Sequence, residues 1–278
     1  MKKNGLKEKY EKLVRENKAI FAMNIYNIET ARGVLDAAKK TNSDVILQVS
    51  PATVDYMGGA DVVAKTVGAL IESYGVNAWL HLDHAKSLVD IRLALSAGFD
   101  SVMYDGSELP FEDNVKFTSE AVAMASWTNT PVEAELGYVA KLGQKQNIGK
   151  AGFTSPEQAL EFVKRTGIDA LAVAIGTAHG FYKETPELDF ERLTKLRQTL
   201  PKTALVLHGS SGLSDKDIQE AAERGINKIN IATELKDAFM KTLKKVLAVN
   251  ENIDLRKIFP VAVSSVTELA QSKFELLK

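Results

Sequence analysis

Eight short β-rich runs recur along this chain, each followed by a helical stretch, and that alternation limits the fold more than any other feature. The runs are 20–25 (IFAMNI), 45–50 (VILQVS), 78–83 (AWLHLD), 101–105 (SVMYD), 132–137 (VEAELG), 170–176 (ALAVAIG), 204–209 (ALVLHG) and 228–233 (KINIAT). Strands separated by helices pair in parallel, and eight of them with no Pro/Gly/Ser-rich linker favour one closed (β/α)8 barrel. An open doubly wound sheet would need far fewer strands or a domain break. The 278 residues suit one barrel of about 250 residues with extensions, so residues 1–278 are read as a single domain. Residues 6–18 are expected to form a helix plugging the bottom, and 262–277 an additional terminal helix. Ser155-Pro156-Glu157 opens a helix with a serine cap and a first-turn proline. Ser214 and Asp217 open another, and Gly167 and Gly225 are expected to close theirs.

In such a barrel the active site lies at the C-terminal ends of the strands. All four histidines fall in that zone: His81 and His84 in LHLDHA, His179 in IGTAHG and His208 in LVLHGSSG. Converging neutral imidazoles of His84, His179 and His208 would make an open zinc site with room for substrate. The alternative is three histidines with separate hydrogen bonds. Asp83 is expected to point inward at its strand tip, as a general acid/base beside the metal, or else as a helix cap or partner of a ligand. His81, two residues earlier on the same face, reads as a hydrogen-bonded barrel residue. Asp105 and Glu135 end neighbouring strands. They could orient a ligand histidine through its free N–H or hold a second cation, or equally be caps or rim charges.

Asn24, Gln48 and Ser50 also crowd the strand ends, as do Glu133, Gly180 and the two polar turns Gly209-Ser210-Ser211-Gly212 and Asn230-Ile231-Ala232-Thr233. Barrels often bind phosphate at the last two loops, through backbone N–H groups and a helix N-terminus. Lys183 could add charge, or be an ordinary surface lysine. Zinc, a carboxylate and an anion cradle together suggest carbonyl chemistry on a sugar phosphate. The rest of the composition excludes other classes. Net charge is −1 and no basic tract stands out, so no nucleic-acid partner is expected. No run reaches membrane-spanning length, and the opening MKKNGLKEKYEKLVRENK has no apolar signal core. With no cysteine, disulfides and thiolate ligands are excluded. The expected location is cytoplasmic.

The segments FAMNIYN, SDVILQVSP, LHLDHA, GFDSVMYDGS, VEAELG, TGIDALAVAIGTAHGFYK, LVLHGSSG and INKINIATEL resemble the class II, zinc-dependent ketose-bisphosphate aldolases. They span about residues 15 to 240. AVAIGTAHG and NIATELK are more similar to the tagatose-bisphosphate branch than to the long fructose-bisphosphate enzymes. The resemblance implies a TIM barrel, Asp83 as catalytic acid/base, and zinc on His84, His179 and His208. It also implies phosphate contacts from Gly180, Gly209, Ser211 and Thr233, substrate contacts from Asn230, and a monovalent cation near the phosphate; Asn24 and Ser50, at the strand ends, are expected to bind substrate or phosphate beside them. Its reaction is reversible cleavage of a phosphorylated ketose to dihydroxyacetone phosphate and an aldehyde, by a homodimer or homotetramer.

One segment departs from the family pattern. Many relatives carry a glycine pair and an acidic pair after ELG, whose glutamate exchanges the proton on the carbon of dihydroxyacetone phosphate. Here Tyr138 to Gly152 reads YVAKLGQKQNIGKAG, without Asp or Glu. Either Tyr138, another residue or water substitutes, or the substrate differs, or turnover is slow. Lys141, Lys145 and Lys150 make the loop basic, able to close over a second anionic group or simply to form a solvated lid. Two rival functions stand beside the aldolase: a zinc-dependent sugar-phosphate isomerase or epimerase, and a non-catalytic sugar-phosphate-binding subunit.

Overall fold

The computed structural model describes residues 5–139, 152–182 and 186–278. Eight parallel strands close into a barrel in chain order: β1 (Ile20–Asn24), β2 (Val45–Val49), β3 (Ala78–Ala85), β4 (Ser101–Tyr104), β5 (Val132–Leu136), β6 (Ala170–Val173), β7 (Ala204–Leu207) and β8 (Ile226–Ile231), with β8 pairing back to β1. Almost every strand residue is buried, because helices cover the outer face and side chains fill the interior. Outward residues such as Phe21, Leu47, Leu82, Val102 and Leu205 pack in the main core with apolar helix faces. Ala22, Ile46, Ala170, Ala172, Ala204 and Val206 form a separate inner cluster. Leu6, Tyr10 and Leu13 of α1 (Leu6–Glu16) join that inner cluster, so the first helix plugs the bottom of the barrel as the sequence predicts.

Local capping signals set the outer helices. In α2 (Ile28–Thr41), Asn27 Oδ1 accepts from the Thr30 amide at 2.9 Å, while Thr30 Oγ1 accepts from the Asn27 amide at 3.1 Å. The Ser155 hydroxyl accepts from the Gln158 amide at the start of α7 (Pro156–Thr166), and Gly167 ends that helix at φ 72°. The Ser214 hydroxyl accepts from the Asp217 amide at the start of α9 (Asp215–Glu223). Gly225 does not cap α9 directly: Arg224 (φ −87°) intervenes, and Gly225 (φ 109°) makes the turn into β8.

Among the boundaries that differ from expectation, three have a visible cause. β6 stops at Val173, short of 176, because the Ala174 amide donates to Thr154 Oγ1 at 2.7 Å and leaves the ladder. β8 starts at Ile226, two residues early; the Asn227 side chain accepts from the Leu205 amide at 3.2 Å and extends the β7 pairing. The terminal helix α11 (Leu255–Glu275) begins seven residues before 262, with Asp254 accepting from the Arg256 amide and Pro260 tolerated inside it. It lies against α2 and α10 (Thr233–Leu247), on the β8–β1 side of the barrel. Among the described residues no helix is long and apolar enough to cross a membrane.

Candidate active site

Strict alternation along β3 would turn Asp83 into the barrel and His84 out of it. The backbone avoids that outcome. His84 takes φ 53°, in the left-handed region, and the β3–β4 register shifts between Leu82 and Ala85. This bulge lets adjacent residues share the mouth. A non-glycine residue there costs about 1–3 kcal/mol, and such strain concentrates at functional sites.

Asp83 is held by a chain of amides across three strands. Gln48 Nε2 donates to Asn24 Oδ1 at 2.6 Å, and Asn24 Nδ2 donates to Asp83 Oδ2 at 3.0 Å. The other oxygen, Asp83 Oδ1, is buried, accepts no hydrogen bond among the described residues, and lies 3.9 Å from His84 Nε2. Asp83 is not a helix cap, since Ser87 caps the following helix, α5 (Leu88–Ala97).

The three histidines meet. Ring centroids lie 4.6 Å apart for His84 and His208, 5.0 Å for His84 and His179, and 5.9 Å for His179 and His208. One nitrogen from each falls within 4.8 Å of the others. His84 Nδ1 sits 3.0 Å from Asp105 Oδ2, and His208 Nε2 sits 2.9 Å from Glu133 Oε1. Carboxylates accept, so those ring nitrogens carry protons. The opposite nitrogens, His84 Nε2 and His208 Nδ1, face each other at 2.9 Å. Three imidazoles with one nitrogen each within 4.8 Å of the others, two of them (His84 and His208) tied to carboxylates through the opposite nitrogen, fit a divalent cation such as zinc. His179 arrives from the loop after β6, not from a strand. The Tyr182 hydroxyl anchors that loop: it accepts from the Ala178 amide at 2.8 Å and donates to the Gly209 carbonyl at 2.6 Å. Gly209 (φ 68°) has no room for a side chain, since a Cβ would fall 2.5 Å from the Ala178 carbonyl oxygen.

The two second-rank acids are buried and near the rings, not rim charges. Asp105 Oδ1 also accepts from the Ser107 amide and hydroxyl, at 3.2 and 2.6 Å. Glu135 Oε2 lies 3.5 Å from His208 Nδ1 and 3.9 Å from His84 Nδ1, and His84, Asp105 and Glu135 form a second group whose atoms lie within 4.8 Å. Electrostatics follow from these contacts. Burial alone would lower the His84 pKa, but Asp83, Asp105 and Glu135 raise it to about 9. Burial would raise Asp105, and its bonds to His84 and Ser107 instead hold it well below the usual carboxylate range. Burial likewise opposes ionisation of Asp83, but His84, His208, Lys228 and Asn24 keep its pKa low. Burial pushes His208 and His81 well down. His81 is a barrel residue, with Nδ1 2.7 Å from Ser101 Oγ.

Above the rings opens a cavity of about 210 Å³. Asn24, Ser50, Asp83, His84, His179, Gly180, Gly209, Ser211, Asn230 and Thr233 all line it, and His208 is fully buried beside it. The two polar turns are joined: Ser211 Oγ accepts from the Ala232 and Glu234 amides, at 3.2 and 3.4 Å, at the N-terminus of α10. Sequence reasoning missed Tyr26 and Lys236 as lining residues, where the lysine nitrogen lies 5.3 Å from the tyrosine ring centre. Their signal was proximity: Tyr26 follows β1, and Lys236 lies three residues after Thr233 in α10. It also missed Glu133 as the partner of His208. Tyr138 does not line the cavity; its amide donates to the Gly152 carbonyl at 2.8 Å. Lys141, Lys145, Lys150 and Lys183 lie outside the described residues.

Comparison with known proteins identifies the family and the fold. Residues 4–278 match the family model for class-II fructose-bisphosphate aldolase. The chain is similar to the YdjI aldolase of Escherichia coli K12, at 34% identity and a TM-score of 0.87, covering 99% of this chain and 97% of that one. It is also similar to the fructose-bisphosphate aldolase of Campylobacter jejuni, at 27% identity and a TM-score of 0.83, covering 98% and 93%. The chain belongs to the class II fructose-bisphosphate aldolase family and is a lyase of that kind.

Proposed function

We propose that the chain, acting as one aldolase domain, reversibly cleaves a ketose 1,6-bisphosphate of the tagatose or fructose type, or a related phosphorylated ketose. The products are dihydroxyacetone phosphate and an aldehyde. The observation that carries this reading is the placement of Asp83 Oδ1, with no hydrogen-bond partner among the described residues, at the edge of the point on which His84, His179 and His208 converge. Zinc on those rings supplies Lewis-acid polarisation of the ketone.

The chain's own residues do the rest. Asp83, kept ionised by its surroundings, takes the proton from the hydroxyl on the carbon that becomes the aldehyde. The carbon–carbon bond breaks and its electron pair moves toward the ketone oxygen, giving an enediolate; water protonates its carbon to give dihydroxyacetone phosphate, and the hydroxide left takes the proton held by Asp83. Asn24 fixes the Asp83 carboxylate so that Oδ1 faces the substrate. Ser211, Thr233 and the backbone of Gly180 and Gly209 take the phosphate at the α10 N-terminus, where the helix dipole favours an anion. Ser50 and Asn230 contact the sugar. Asp105 and Glu135 orient the ligand histidines, and a monovalent cation beside the phosphate is part of the same reading. A cytoplasmic location and a homodimer or homotetramer belong to the same reading.

The test is a coupled cleavage screen across ketose bisphosphates and monophosphates, with zinc measured on the same sample. Triose phosphate formed in proportion to bound zinc is expected. Isomer formation without triose phosphate would assign an isomerase instead. Full activity in metal-free protein would overturn the mechanism.

A further inference from the structure

The barrel interior holds a lysine that does not line the substrate cavity. Lys228, on β8, is 0% exposed and ranks among the largest fully buried side chains. Its Nζ lies 2.8 Å from Glu133 Oε2, and Glu133 is itself 1% exposed. The other oxygen, Glu133 Oε1, lies 2.9 Å from His208 Nε2. His81 Nε2 stands 3.7 Å from Glu133 Oε2, without a hydrogen bond among the described residues. Neighbouring inward residues are small, among them Ala22 and Ala172, which leaves space for the long side chains. A buried ion pair carries a large desolvation cost, and apolar residues of similar size usually stabilise a core as well or better. Its retention between a strand and a ligand histidine therefore calls for a role beyond packing.

We infer that Lys228 and Glu133 are a positioning pair that fixes the tautomer of His208, so that Nδ1 is presented to the metal site as a lone pair. An ammonium offers donors and no acceptor. It therefore binds one carboxylate oxygen and leaves the other, also an acceptor, against His208 Nε2. That nitrogen must carry the proton. The geometry also excludes rotation of the ring, since both of its nitrogens are engaged. The inference rests on the reading of His84, His179 and His208 as metal ligands only for its consequence, not for the tautomer itself.

The logic makes a sharp prediction for Glu133→Gln. Lys228 will claim the amide oxygen, so the amide NH2 will face His208 Nε2 and force the proton onto Nδ1, where the metal should bind. Zinc affinity is expected to fall about 100-fold, at the upper end for an outer partner of a ligand histidine. Adding Lys228→Met frees the amide to turn over and should recover about tenfold of that loss. A second change that improves binding is not what a purely structural lysine would give. Lys228→Arg, which keeps a donor-only cation, should retain the wild-type tautomer.

Histidine-labelled nitrogen NMR of the metal-free protein above about pH 9, where His84 is neutral and its Nε2 no longer donates to His208 Nδ1, reads the tautomer directly, and chelator competition reads zinc affinity. The expected pattern is His208 protonated on Nε2 in the wild type, on Nδ1 in Glu133→Gln, and mixed in the double variant. The inference is overturned if Glu133→Gln keeps the wild-type tautomer, or if the double variant binds zinc no better than the single one. Should Glu133→Gln not fold, the double variant leaves no buried charge unpaired, and a fixed wild-type tautomer there overturns the idea equally. A wild type that binds no zinc would instead sink the metal reading, and the tautomer spectra would still decide the role of Lys228.

Discussion

At the scale of single residues, the site is a set of opposed demands on protons. His84 is charged near neutral pH without metal, because three carboxylates outweigh its burial and raise it to about 9. A metal needs the neutral ring, so binding must expel that proton. The sign follows: below about pH 9 protons compete with zinc, and apparent affinity should tighten about tenfold per pH unit from pH 7 upward, levelling above about 9. Chelator titrations at several pH values check this, and a flat profile would show that His84 is not a ligand. Asp83→Ala should cut turnover by about 10²–10⁴ while zinc content stays at the wild-type level. Loss of zinc in that variant would move Asp83 from proton transfer to metal retention. The residue types at these positions were readable from the sequence. The side-chain direction of His84 was not, because only a bulge at φ 53° brings it beside Asp83.

At the scale of elements, strand parity and helix packing decide which residues meet. Glu133 and Lys228 lie on strands that read as apolar runs, on the face that turns inward, and two opposite charges at that parity were a visible hint of the buried pair. The docking of α11 on α2 depends on Gly33, where a Cβ would fall 2.7 Å from Val266 Cγ1 and 3.1 Å from the Val263 carbonyl oxygen. Alanine in a helix interior normally gains up to about 1 kcal/mol over glycine. Overpacking against a backbone atom costs about 1–3 kcal/mol. Gly33→Ala should therefore be destabilising by about 1 kcal/mol, seen as a lower urea midpoint with an unchanged slope. A midpoint above wild type would mean that α11 yields easily. The ends of β6 and the start of α11 were misjudged for a related reason. Thr154 diverts the Ala174 amide from the ladder, and Asp254 starts a helix that Pro260 does not interrupt.

At the scale of the whole molecule, the proposed ligands come from β3, the loop after β6 and the end of β7, so a bound metal ties distant parts of the barrel together. Zinc at about 100 times its dissociation constant should stabilise the fold by about 2.7 kcal/mol. For a chain of this size that corresponds to a melting temperature about 5 °C higher than in chelator. An identical melting curve with and without chelator, in protein shown to bind zinc, would place the ion outside the native fold's own ligands. What the sequence determined by itself was the barrel, its plugging helix and the rim residues. Burial on both strand faces, helix caps and the alternation of strand with helix are written in local patterns. What only the tertiary structure decided was which nitrogens face one another, which carboxylates lie behind them, and that Lys228 lies at the centre of the barrel. Those depend on closure of the sheet and on one irregular residue in β3, and contacts between strands far apart in the chain leave no trace in the spacing of any one of them.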